Sequence, residues 1–151
     1  MISVSHIPGT RIALYAMAPP LEAADIVENT EKVLKGEFAP VSLDMLQFID
    51  MTRVELTNFE RRDVERLVNH RRMLNGAPPA GPTAVVVRNE ASYGMARMFA
   101  IYAEVMDMRS ETQFFVSLDR EEAAEWLFAQ SGETDLSPRQ ILAEVDRLFP
   151  E

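Results

Sequence analysis

TAVVV, residues 83–87, is the run on which the fold turns. It is rich in β-branched side chains and does not alternate with polar residues, so a strand here must be covered on both faces. That places it inside a parallel sheet, flanked by neighbouring strands and by helices above and below. The segment just after it, SYGMARMF at 92–99, then begins a helix. In that helix Met95, Met98, Phe99, Tyr102 and Met106 share one face by their spacing.

Outward from this run the chain punctuates itself at Gly, Pro and capping residues. ISVSHI and RIALYAMA, on either side of Pro8-Gly9, read as a hairpin or two consecutive strands. Pro19-Pro20 opens a helix through LEAADIVENTEKVL, which Lys35-Gly36 stops. LDMLQFID is a strand with Leu43, Met45 and Gln47 on one side and Leu46 and Phe48 on the other. Thr57 and Glu60 form a capping box that starts a helix with the stripe Val64, Leu67, Val68 and Leu74, and the loop GAPPAGP breaks it. TQFFVSL is the next strand, Asp119 to Glu122 cap the helix EEAAEWLFA, and Ser137, Pro138 and Gln140 open a last helix, ILAEVDRLF. The order β-β-α-β-α-β-α-β-α-α predicts an α/β fold: a mixed, mostly parallel sheet of about five strands covered by helices on both faces, with an extra C-terminal helix.

Composition narrows the functions. With 151 residues the chain suffices for one domain with a proper core. No window approaches the ~20 apolar residues that cross a bilayer. The N-terminus lacks the basic and apolar regions of a secretory signal, and there is no cysteine, so cytoplasmic residence is the expectation and thiolate chemistry is excluded. A net charge of −9 repels polyanions, which argues against nucleic acid.

Two motifs together resemble a known family. TAVVVRNEASYGMARMF carries an aromatic-Gly-x-x-Arg-Met turn at Tyr93, Gly94, Arg97 and Met98; TQFFVSLDREEAAEWL carries Ala123, Trp126 and Leu127 after the next strand. This is similar to the SpoIIAA-like family of small bacterial proteins, a branch of the STAS-domain fold related in shape to CRAL-TRIO lipid-binding domains. The likeness covers about residues 10 to 128, and LTNFERRDVERLV also resembles the family's helix-opening segment. It implies a SpoIIAA-like domain over 1–130; the last twenty residues lie outside the likeness, and the stripe Ile141, Leu142, Val145, Leu148 and Phe149 makes 131–151 a helical extension packing on it or on a second chain, as in a homodimer. The likeness implies a non-enzymatic binding or regulatory module that contacts a protein partner or small ligand, and the residues themselves offer no cofactor or metal motif. The alternative is an apolar, lipid-like ligand or peripheral membrane contact.

For SYGMARMF two readings stand. In one, Gly94 lets a ligand approach the backbone while Tyr93, Arg97 and Met98 line a lip at the strand's carboxyl end. In the other, Gly94 serves close helix-to-sheet packing and Tyr93 fills a gap. STAS domains are switched by phosphorylation at a helix start, where charge acts strongly. Thr52 and Thr57 are the hydroxyls near that place, but the Asp-Ser-Gly-type turn is missing and Thr57 reads as a cap. Arg62 and Arg66, with Arg61, Arg71 and Arg72, could give one helix a basic face for lipid or an acidic partner, although Glu60, Asp63 and Glu65 offset it. The methionines at 95, 98, 106 and 108 suit either a core or an apolar pocket. His6 and His70 have no nucleophile elbow or metal-ligand cluster around them, and His70 reads as a surface residue.

Overall fold

The structure, a computed structural model, describes residues 1–74, 80–105, 113–132 and 136–149. Met106 and Met108 lie outside them. Strands β1 (Ile2–His6) and β2 (Ile12–Met17) form an antiparallel pair, and helix α1 (Ala23–Leu34) leads to β3 (Leu46–Met51). A 3-10 turn (Leu56–Asn58) and helix α2 (Arg61–Arg72) lead to β4 (Thr83–Val87), and helix α3 (Glu90–Val105) to β5 (Phe114–Ser117). Helices α4 (Arg120–Ser131) and α5 (Pro138–Asp146) close the described chain. The sheet runs in simple sequential order, β1-β2-β3-β4-β5, parallel from β2 onward.

β4 is buried at every residue and hydrogen-bonded to β3 and β5, as its unalternating apolar sequence requires. Period-two alternation on β2 and β4 then divides the interior. Ile12, Leu14, Ala84 and Val86, with Phe48 of β3, face one side, where Ala123, Ala124 and Leu127 of α4 and Ile141 and Val145 of α5 pack on them. Tyr15, Met17, Val85 and Val87 face the other side, towards α1, α2 and α3. The C-terminal helix thus packs on its own sheet and on α4.

Most boundaries follow local chemistry. Ser137 and Gln140 cap α5 reciprocally with Pro138 in the first turn, and Asp119 accepts hydrogen bonds from the Glu121 and Glu122 amides at the start of α4. Gly36 ends α1 at φ +79°, a conformation that side chains disfavour.

Three starts differ from the sequence expectation. α1 is capped by Glu22 with Asp25, two residues beyond the proline pair. α2 is capped by Glu60 with Asp63, not by Thr57. The 3-10 turn takes residues 56–58 because Leu56 must be buried, and Phe59 then stays extended, so the helix cannot begin before residue 61. α3 begins at Glu90, with the Asn89 side chain accepting from the Ser92 amide at 2.9 Å.

A cavity beneath the middle helix as candidate functional site

Each parallel crossover steps one strand along the sheet, about 4.8 Å, whereas packed helices need about 8–10 Å between axes. Three helices that step the same way on one face therefore cannot all rest on their own strands. α1 reaches back over β1, α3 lies on β4 and β5, and α2, in the middle, packs mainly on α1 and α3. Beneath α2 a cavity of about 210 Å³ remains. Its floor is Met17 of β2, Gln47, Ile49 and Met51 of β3, Thr83 and Val85 of β4 and Phe114 of β5. Ile26 and Thr30 of α1, Leu67 and Arg71 of α2, and Met95 and Phe99 of α3 are among those forming its walls and roof. The opposite face of the sheet is closely packed, with Ile12, Leu14, Phe48, Leu127, Ile141 and Val145 all wholly buried.

The polar groups gather at one end. Gln47 and Thr83 lie near the amino ends of their strands, and His70 and Arg71 close α2 on that side. The Gln47 amide donates to the Leu43 carbonyl at 2.7 Å, the Thr83 hydroxyl to Gly81 at 2.9 Å and the Thr30 hydroxyl to Ile26 at 3.1 Å. His70 Nε2 lies 3.2 Å from Glu31 Oε1, tying the ends of α1 and α2 together. Arg71 differs: its Nη2 is buried and, among the described residues, has no hydrogen-bond partner. The same holds for the hydroxyl of Tyr15, a residue 4% exposed that pairs in register with the cavity-lining Ile49. Burial pushes the Tyr15 phenol up to about 12, with the Arg71 charge pulling the other way, and burial lowers the Arg71 pKa.

The residues singled out from sequence fall in several places. Met95, Ala96 and Phe99 of SYGMARMF line the cavity, whereas Tyr93, Gly94, Arg97 and Met98 do not. Tyr93 packs beside the cluster formed by Met51, Leu56, Val87 and Ala96. Gly94 is exposed, and a Cβ there would meet nothing within 4 Å, so it serves no close packing within the described chain. That role belongs to Gly81, where a Cβ would fall 2.3 Å from the Met45 carbonyl oxygen. Ser92 is wholly buried; its hydroxyl accepts from the Leu56 amide at 3.2 Å and donates to Glu55 at the same distance. Thr52 donates to the buried Asp50 at 2.6 Å, and Thr57, exposed, to Glu55 at 3.3 Å.

Arg62 pairs with Glu60 at 2.9 Å and Arg61 with Glu65 at 3.1 Å, while Arg66 is exposed. His70 is not a surface residue: its side chain is 21% exposed and lines the cavity. The helix face closest to the sheet on α3 is Ala96 and Ala100, not the methionines, since small residues allow the nearest approach. The Arg71 position was readable, because Val64, Leu67, Val68 and Arg71 stand at helical offsets that put a cation on the apolar stripe. Among the described residues no helix is long and apolar enough to cross a membrane, and no group of three or more His, Asp or Glu side chains could hold a metal ion.

Comparison of the chain with protein-family models, curated proteins and solved structures gives no match.

Proposed function

We propose that this chain is a non-enzymatic binding module on a SpoIIAA-like scaffold, and that it holds a small apolar ligand beneath α2. The carrying observation is the cavity. Its lining is mostly apolar, and apolar surface left facing this space forgoes the stabilisation that close packing gives the opposite face. A core that keeps such a space on one face while packing the other face solidly is built to receive something. The sequential sheet order and the antiparallel first pair support the scaffold assignment. Under this reading the SYGMARMF segment serves the site through its inward residues Met95, Ala96 and Phe99.

Calorimetric titration with octanamide, a neutral amphiphile of suitable length, tests the reading. Binding is expected, and at a hundredfold excess over Kd it raises the melting temperature by roughly 5–10 °C. Ala96→Phe fills the space and abolishes binding while the protein still melts cooperatively. Failure of octanamide, octanoate and 1-octanol all to bind would overturn the reading.

A peripheral membrane role is the second reading. It is favoured by Met73, 78% exposed, and Leu34, 40% exposed, which end α2 and α1 beside Arg72 and Lys35 at the polar end of the cavity. Flotation with anionic vesicles at physiological salt decides it: co-flotation that Met73→Ser abolishes supports the role, and none refutes it.

A further inference from the structure

The cavity's polar groups are unequal. Gln47, Thr30 and Thr83 direct their hydrogens to backbone carbonyls, and His70 faces Glu31. Arg71 Nη2, on the cavity wall, is left buried and without a partner among the described residues; the Tyr15 hydroxyl, a second such group within electrostatic reach of Arg71, lies outside the lining. A buried guanidinium nitrogen is costly unless an acceptor meets it.

We propose that the ligand is a monocarboxylate with a medium-length apolar tail, its carboxylate meeting the Arg71 guanidinium and its tail lying under α2 towards Met51, Leu56 and Phe99. This rests on the reading of the cavity as a binding site. The charge fits: one unmatched cation takes one negative charge, and a planar carboxylate presents two acceptor oxygens to a planar guanidinium. A phosphate monoester brings up to two charges and more acceptors than these donors meet. The size also fits. At roughly 20–30 Å³ per non-hydrogen atom, 210 Å³ takes on the order of ten atoms, an acid of about eight carbons. The tail surroundings, Ile49, Met51, Val85, Met95 and Phe99, offer no polar side chain to compete for the head.

The experiment compares octanoate with octanamide, the neutral isostere, by calorimetric titration at neutral pH. Wild type, Arg71→Met, Arg71→Gln and the exposed control Arg66→Met are each titrated. Octanoate is expected to bind wild type and the control about 10- to 100-fold more tightly than octanamide, the range of a charge-assisted bond over a neutral one. Arg71→Met and Arg71→Gln each bring octanoate down to octanamide and leave octanamide unchanged. Equal binding of the two probes to wild type overturns the carboxylate assignment yet leaves the cavity a binding site; binding of neither, with 1-octanol failing too, overturns the cavity reading itself. A preference that survives the loss of the guanidinium overturns the assignment to Arg71. Should Arg71→Met not fold by circular dichroism, Arg71→Gln, which keeps a polar end, carries the same decision.

Discussion

Arg120 Nε donates to the wholly buried Asp50 Oδ2 at 3.1 Å, binding the first turn of α4 to the carboxyl end of β3. The same guanidinium reaches Asp146 at the end of α5, and Asp50 also accepts from the Thr52 amide and hydroxyl. One cation thus fastens both helices of the packed face to the sheet.

Removing it strands a carboxylate. Arg120→Met is expected to cost about 3–5 kcal/mol in urea unfolding, because Asp50 stays buried and loses its charge partner. Asp50→Asn, which keeps the shape and lowers the charge, costs less. Equal, small effects from both would mean that the pair is not holding the helices.

Two glycines in different surroundings should respond oppositely to the same change. Gly94→Ala adds a methyl group to open space within α3 and is expected to stabilise by about 0.5–1 kcal/mol. Gly81→Ala drives a Cβ into the backbone of residues 44 and 45, and the protein should unfold or lose several degrees of melting temperature. If a partner docks on the exposed Gly94, Gly94→Ala weakens that contact while raising stability, which a pull-down beside a melt would separate.

The Tyr15 phenol gives a signature at alkaline pH. The unfolded chain releases this proton near 10.0 and the folded chain only at about 12. A raised pKa contributes stability that is whole below the unfolded value and is lost as pH rises through the folded one, here by roughly 3 kcal/mol between the two. Tyr15→Phe removes that loss. Below pH 10 the same variant should be neutral or stabilising, since it deletes a buried hydroxyl without a partner among the described residues. Chemical denaturation of both proteins across this range checks the sign.

Glu55 answers at the acid end. Hydrogen bonds from Asn89 first, and from Ser92, hold its carboxyl below the ordinary range. The resulting clamp between the 3-10 turn and α3 is present above the unfolded value and lost as pH falls through the folded one. Glu55→Gln should flatten the acid limb of the stability profile, and Ser92→Ala should cost about 1–3 kcal/mol by orphaning the Leu56 amide.

The fold was legible where burial leaves a mark on residue type. TAVVV could not sit at a rim or a surface without exposing its side chains, and Ser137 with Gln140 marks a helix start through two hydrogen bonds that short range alone decides. The start of α2 was less so, because Thr57 offers the same local signal and loses to the burial of Leu56, a long-range demand. The depth of the cavity left no mark. A stripe such as Val64, Leu67 and Val68 says that a face is covered, not how far it stands from what covers it. Arg71 on that stripe was the one residue whose chemistry disagreed with its neighbours.

The unequal seating of the helices has a dynamic consequence. α4 and α5 press on wholly buried side chains, whereas α2 spans the cavity between two neighbours and can tilt outward without unmaking any strand pairing. Its amides should exchange with solvent faster than those of α4 in the ligand-free protein and slow when the space is occupied, so that the least anchored element becomes the route by which cargo enters and leaves.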